Sequence, residues 1–510
     1  MHTIAPSPDS RSLANPVPQP LPQRKKMPRR PRILIVTPEL NGSSFLARNG
    51  RSAPCAKAGG LADVSTLLVD ELADRGIDVR VAMPDFRRLF PSADSIHSRR
   101  LFLCRDREFN YRQSVYDGDR DANRRAALAF QREVIHHVLP RVRPDIVHCH
   151  DWMTGLVPAA AKSMGIPSLF TLHNLHDDRA DLAEIEDRGI DAGPWWQHLH
   201  FSRFPESYGQ SRHWNPVNLL ASGIHAADRF NTVSPTFLRE LMEGRHAAGH
   251  GLMDVLRGKD RHGAACGIVN APDPSCSPVS DPRIVQRYDA ATHASAKRVN
   301  KLHLQQKLGL EMDAEAPLLF WPSRLDPVQK GCGLLAEILY RLVSDYWALG
   351  LQVVFVADGP FRHHFQRIAD FHGLGHRIAV RPFDETLSRQ AYAGSDFVLM
   401  PSAYEPCGLA QMVALKYGSL PVVHRTGGLA DTVRHLDAGR DSGNGFSFED
   451  HDCGGLRWAL DEAMRFHISP PSLRHRNVER IMCESGEAFS SKATAEKYIG
   501  LYETLSRRTI

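Results

Sequence analysis

Short apolar runs alternate with stretches of helical period twice over along the chain, and this alternation limits the folds open to it. The first series is RILIVTPEL (32–40), DVRVAMP (78–84), DIVHCHDW (145–152), SLFTLHNL (168–175), RFNTVSP (229–235) and GAACGIVN (263–270). The second is PLLFWPSRL (317–325), QVVFVADGP (352–360), RIAVRPF (377–383), DFVLMPS (396–402) and LPVVHRTGG (420–428). Strands apolar on both faces need cover on both faces, which a parallel sheet between helices supplies. Helices fit 61–76, 122–139 and 153–164, then 295–309, 333–348, 361–372, 408–417 and 452–466. Between the series lies NAPDPSCSPVSDP (270–282), with four prolines and no period, read as a linker. The expected class is α/β, with two Rossmann-like doubly wound domains facing each other across a cleft. Their bounds are 32–270 and 317–488, joined by a linker over 271–316. No short repeat points to a solenoid. Open parallel sheets bind ligands beyond the carboxyl ends of their strands, and clefts between domains are favoured sites.

Composition excludes several other classes. Lys and Arg exceed Asp and Glu by 63 − 58 = 5 in 510 residues, and the arginines are scattered, so no nucleic-acid partner is expected. No run reaches the ~18 apolar residues of a membrane span. Nine cysteines without one C-x-x-C pair argue against a disulfide framework or a zinc site and for a reducing, cytoplasmic setting. Residues 1–31 are proline-rich, basic and nearly free of acid. They read as a disordered tail, the proline content weighing against an amphipathic transit peptide.

The candidate site residues fall just after strands. KAGGLADV (57–64) and RTGGLADTV (425–433) each set a Gly-Gly turn before a helix, one per domain. A helix start carries free N–H groups and partial positive charge, suited to an oxyanion, and Lys57 adds a full charge. Candidate ligand contacts are therefore Lys57, Gly59, Gly60 and Asp63 in the first copy and Thr426, Gly427 and Gly428 in the second. Arg324 and Lys330, in WPSRLDPVQKG (321–331), follow the first strand of the second domain. They are either a solvated pair or a guanidinium beside an ammonium placed for a diphosphate. Glu405, in SAYEPCGLAQMVALKYG (402–418), is either a carboxylate favoured by a helix start or one that grips a ligand hydroxyl. His148 and His150 share one face of a strand, but no third ligand accompanies them and no metal is expected. Asp151 and His173 stand at strand ends, where a lone histidine is often structural.

Taken together, KAGGLADV, HDW, TLHN, TVSPTF, SRLDPVQKG, EPCGLAQMVALKYGSLPVV and TGGLADTV, in this order, resemble the bacterial glycogen synthase and plant starch synthase family over roughly 32–500. The family's enzymes are retaining glycosyltransferases that extend α-1,4-glucan from a nucleotide-activated glucose. The resemblance implies a GT-B arrangement whose last helix (489–510) returns towards the first domain. It implies a nucleotide-sugar donor, ADP-glucose, and an α-glucan acceptor. It implies no metal or other cofactor, since Arg324 and Lys330 neutralise the leaving diphosphate. By the same resemblance Glu405 holds donor glucose hydroxyls, and Cys407, Gly408 and Leu409 line sugar and phosphate. Lys57 with Gly59 and Gly60 faces the donor, Asp151 and Asn270 line the sugar pocket, and the His173 carbonyl stabilises positive charge at the anomeric carbon.

Several positions depart from the family pattern. Ala58 replaces the threonine of KTGGL, and the loop 41–56 is longer. SRLDPVQKG has one extra residue, so its lysine must be re-aimed. HNL is followed by HDDRADLAEIEDRGID rather than Tyr-Gln-Gly, and NAPD (270–273) replaces NGVD. These changes leave open a same-fold glycosyltransferase with another acceptor or donor, or a non-catalytic glucan-binding homologue. The presence together of Lys57, His173, Arg324, Lys330 and Glu405 speaks against the last.

Overall fold

All strands of the two main sheets run parallel, as near-continuous apolar runs demand. The computed structural model describes residues 30–46, 54–90, 99–246 and 250–506. The basic tail therefore lies, but for Arg30 and Pro31, outside the described residues, as does the middle of the long 41–56 loop.

The first sheet has seven strands: β1 (Arg32–Val36), β2 (Asp78–Pro84), β3 (Leu101–Cys104), β4 (Ile146–His150), β5 (Ser168–Leu172), β6 (Arg229–Thr232) and β7 (Ala265–Gly267). Their spatial order is β7-β6-β5-β4-β1-β2-β3. The second sheet has six: β8 (Leu318–Trp321), β9 (Gln352–Val356), β10 (Ile378–Arg381), β11 (Phe397–Met400), β12 (Leu420–His424) and β13 (Phe446–Phe448), ordered β10-β9-β8-β11-β12-β13. Each sheet reverses direction once, between β1 and β4 and between β8 and β11. Crevices at such switch points are where doubly wound sheets take ligands.

The first strand is shorter than RILIVTPEL suggests. β1 ends at Val36 because Pro38 has no N–H to continue a ladder. Thr37 Oγ1 instead donates to the Glu39 carbonyl oxygen at 3.0 Å. A two-residue antiparallel ribbon, Leu40–Asn41 with Cys55–Ala56, returns the chain to the Gly-Gly turn. The helix expected over 122–139 is α-helical over Arg120–Glu133, then π-helical over Val134–Val138, then closes with one turn over Leu139–Val142. Pro140 lacks the N–H an α-helix needs there, and a wider turn relieves its clash with the preceding carbonyl.

Residues 271–316 are packed rather than free. Helix α1 (His293–Leu308) lies along helix α2 (Glu385–Gly394) of the second sheet, and Lys301 pairs with Asp396 at 2.6 Å. Tyr288 Oη donates to the Tyr417 carbonyl at 2.9 Å. The last helix, α3 (Ser491–Ser506), packs on the first sheet. There Tyr502 Oη lies 2.7 Å from His148 Nδ1, and Tyr498 Oη accepts from Asn231 Nδ2 at 3.1 Å. Both tyrosines are fully buried among the core residues of the first domain.

Candidate active site

Both switch points carry expected site residues. The helix after the KAGG turn, Gly60–Asp74, starts beyond β1, and Asp151 follows β4. Arg324 and Lys330 follow β8, and Glu405 follows β11.

The two lobes meet along this edge. A Cβ built on Gly60 would lie 3.2 Å from Leu409 Cδ1 of the opposite lobe, so this glycine lets the turn and the EPCGL loop touch. Asp431 accepts from Ser234 Oγ at 2.6 Å, Thr236 Oγ1 at 2.6 Å and Thr236 N at 3.0 Å.

On the second lobe, Lys330 Nζ lies 2.5 Å from Glu405 Oε2, each side chain 10% exposed. The residue inserted between arginine and lysine is absorbed by an Asp326 turn. Its carboxylate accepts from Val328 N and Gln329 N at 2.9 Å, and its carbonyl from Lys330 N at 3.1 Å. Arg324 is exposed, and its guanidinium forms no hydrogen bond or ion pair among the described residues. Gly408 has φ +69, and Gln411 Nε2 donates to the carbonyls of Cys407 and Gly408, bracing the EPCGL turn.

The first lobe shows what its Gly-Gly turn holds here. Ala58 N and Gly59 N donate to Glu39 Oε2 at 2.7 and 3.1 Å, and Tyr116 Oη donates to Glu39 Oε1 at 2.8 Å. Glu39 is 2% exposed. Burial and the Glu39 charge push the Tyr116 hydroxyl well above its usual value, keeping it a donor. A Cβ on Gly59 would meet no atom of the described residues within 4 Å. Lys57 pairs with Asp63 at 2.8 Å, and Asp63 also accepts from Asn41 Nδ2 at 2.7 Å.

The second Gly-Gly turn is likewise occupied by a glutamate. Gly427 N donates to Glu240 Oε1 at 3.0 Å, and Thr426 Oγ1 donates to the same carboxylate. Gly428 N donates to the Glu405 carbonyl at 2.9 Å. Gly427 has φ +45, and a Cβ there would collide with that carbonyl. The amides of Gly427 and Gly428, expected to face a ligand, are thus taken up by the protein itself.

Asp151 sits at φ 57, ψ 179, a region that side chains avoid. Its carboxylate accepts from His173 N at 2.7 Å and Asn174 Nδ2 at 3.0 Å, holding the TLHN loop. Burial pushes the Asp151 carboxyl up to about 8 against those bonds. His150 Nδ1 lies 2.9 Å from His173 Nε2, and the His148 and His150 rings are 4.2 Å apart. Burial holds His148 and His173 down to about 3, so the cluster is neutral at ordinary pH. Asn270 is buried and its Oδ1 has no partner, as suits a group awaiting a ligand.

Glu39, Tyr116, Glu240 and Asp431 were not singled out from the sequence. The signal for Glu39 was there: a lone carboxylate at the end of an apolar run, 20 residues before a Gly-Gly turn. Glu240 gave none, because its partner is 187 residues away.

Comparison with known proteins accounts for this arrangement. The family model described as starch synthase catalytic domain matches residues 32–258, and that of glycosyl transferases group 1 matches 316–465. The chain is 31% identical to a glycogen synthase of Desulfitobacterium hafniense, over 89% of this chain and 97% of that one. It is 34% identical to a glycogen synthase of Syntrophotalea carbinolica, over 88% and 96%. The chain belongs to the glycogen synthase family. It is a glycosyltransferase of GT-B fold. Among solved structures, the catalytic domain of starch synthase IV from Arabidopsis thaliana, bound to ADP and acarbose, is similar at TM-score 0.77 and 27% identity, covering 94% of this chain and all of that one. Sucrose-phosphate synthase from Thermosynechococcus elongatus, at TM-score 0.57 and 16% identity, shares the fold. No helix among the described residues is long and apolar enough to cross a membrane.

Proposed function

We propose that the chain transfers glucose from ADP-glucose to the non-reducing end of an α-1,4-glucan, with retention at the anomeric carbon. The supporting observation is the meeting of KAGG and EPCGL, with Gly60 against Leu409 and the Lys330–Glu405 pair on the same edge. The ADP bound by the related starch synthase favours the adenine nucleotide.

As the glycosidic bond to the diphosphate breaks, negative charge grows on the leaving oxygen and positive charge on the sugar. Arg324, its guanidinium without a partner among the described residues, and Lys330 are the cations for the diphosphate, doing what preorganised donors do at a developing oxyanion. Glu405 takes hydroxyls of the glucose while it holds Lys330 in place. Asp151, bonded to His173 N, fixes the loop that carries the His173 carbonyl towards the anomeric carbon. Asn270, Cys407, Gly408 and Leu409 close the sugar pocket, and Lys57 with Asp63 borders its mouth. Thr426 and Gly427 act through Glu240, in holding the lobes together, while Gly428 N braces the Glu405 carbonyl. A cytoplasmic setting belongs to the same reading, supported by nine unpaired cysteines.

The deciding experiment supplies labelled ADP-glucose or UDP-glucose with glycogen, without added metal. Transfer to glycogen from ADP-glucose is the expected result. Transfer to small sugars alone would favour the other-acceptor reading, and donor binding without transfer a non-catalytic homologue.

A further inference from the structure

A cavity lies at the amino ends of β11 and β12, away from the catalytic edge. Its volume is about 110 Å³, and Asp396, Phe397, Gly418 and Leu420 form its floor. A single water needs only ~10–15 Å³ of such space, so there is room for a small polyatomic ligand.

Its charge is unbalanced. Lys297, Arg298, Lys301 and Arg474 line it together with three histidines, against the carboxylates of Asp396 and Glu315. Those carboxylates are already engaged, Asp396 with Lys301 at 2.6 Å and Glu315 with Arg298. Lys297 Nζ is satisfied by the Tyr392, Ala393 and Tyr417 carbonyls and Ser419 Oγ.

Two groups are left over. His293 is 4% exposed and lies 2.6 Å from the Ala290 carbonyl through Nδ1, which must therefore carry the proton. Its Nε2 is buried without a partner among the described residues. Arg474 as a whole is only half-buried, but its Nε is likewise buried and unpartnered, and its guanidinium makes no hydrogen bond or ion pair among the described residues. His475, whose ring centroid is 5.7 Å from that of His293, stands beside them. Buried polar atoms left without a partner are costly. A water would satisfy geometry but leave the charge uncompensated.

We propose that this cavity binds a tetrahedral oxyanion, a phosphate either free or as the ester of a sugar, with the Arg474 guanidinium donating to it and a hydroxyl that the phosphate retains donating to His293 Nε2. Its distance from the donor edge makes it a site separate from the one that holds the diphosphate.

The test is calorimetric titration of the full chain with inorganic phosphate in saturating ADP, so that the donor site is filled. The expected result is one phosphate bound per chain, with affinity falling about tenfold or more in Arg474→Gln, the range of a lost charged hydrogen bond. Arg476→Gln, at an exposed residue paired with Asp441 at 2.9 Å, should bind as the parent does. A parallel arm with a hexose phosphate identifies the source: tighter binding of the ester assigns the sugar phosphate, equal binding the free ion. Should Arg474→Gln unfold, a crystal of the parent grown in phosphate reads the same point, with the ion between Arg474 and His293. No binding in saturating ADP, equal binding by Arg474→Gln, or only water in that crystal overturns the proposal. None of these readings depends on glucosyl transfer.

Discussion

Lys330 and Glu405 form a 2.5 Å ion pair at the carboxyl edge of the second sheet, both nearly buried. Arg324, six residues before Lys330, is exposed and unpaired. The two cations therefore separate activity from stability when removed. Arg324→Ala should lower kcat by about 10²–10³, the effect of losing one oxyanion donor at about 2.7–4 kcal/mol, with an unchanged melting temperature. Lys330→Ala should lower kcat similarly and also destabilise the fold, since breaking a buried pair costs about 3–5 kcal/mol. Steady-state kinetics beside thermal melts read both. Parent-like turnover in Arg324→Ala would remove it from the mechanism.

Glu405 accepts from Lys330 and from Ser402 Oγ at 3.2 Å. If its task towards glucose is hydrogen bonding, Glu405→Gln should keep more turnover than Glu405→Ala. An alanine variant as active as the glutamine variant would argue that it touches no substrate.

Glu39 braces the first Gly-Gly turn through two amides and Tyr116. Glu39→Ala removes the acceptor of two amides in an exposed turn and strands the largely buried Tyr116 hydroxyl at about 1–3 kcal/mol, so the melting temperature should fall and KM for the donor should rise. Glu39→Gln keeps one oxygen as an acceptor and should lie between. Tyr116→Phe removes a single hydroxyl and should be the mildest. A rise in KM without loss of stability would place Glu39 in contact with the donor rather than behind it.

The catalytic edge was legible in the sequence wherever chemistry is written in a local motif. Strands apolar on both faces gave the two sheets, and the Gly-Gly turns, SRLDPVQKG and EPCGL fell at their switch points. Short elements at sheet margins were not legible: β3 and β13, of four and three residues, have too few positions for a pattern. Nor were partners brought in by folding. Glu39 and Glu240 fill the two turns that seemed to wait for a ligand, and distant pairing leaves no trace in spacing. Likewise α1 looks like part of a linker until its packing against α2 is seen.

The histidine cluster and Asp151 oppose each other in the pH dependence of stability. His148 and His173, held at about 3 by burial, and His150, also lowered by burial, bind fewer protons folded than unfolded. Their contribution is complete above the usual 6.5 and lost as pH falls towards 3. Asp151, raised to about 8, contributes most below its usual 3.8 and loses that contribution as pH rises through 8. The urea midpoint should therefore climb from acid to about pH 6.5 and decline from there to pH 8. Asp151→Asn keeps the side-chain shape and an acceptor for His173 N but cannot ionise, so the decline should vanish. A decline that persists in Asp151→Asn assigns it to another group.

Glu240 joins the lobes at one carboxylate, accepting from Gly427 N and Thr426 Oγ1 across the seam and lying 2.9 Å from His246 Nε2. Burial favours its protonated form, but the bonds to His246, Gly427 and Thr426 outweigh this and hold it below its usual range. Asp431 makes the reciprocal contact, reaching back to Ser234 and Thr236. Removing either leaves unpaired donors in a seam that can relieve them by opening to water, so the loss should appear as opening rather than unfolding. Each 1.4 kcal/mol shifts such an equilibrium about tenfold. Glu240→Ala and Asp431→Ala should each enlarge the radius of gyration seen by small-angle scattering and raise KM for the donor more than they lower kcat. Saturating ADP should reverse the enlargement, because a ligand gripped by both lobes favours the closed form. The double variant should be the most open. If it scatters like the parent with and without ADP, Glu240 and Asp431 do not hold the lobes closed.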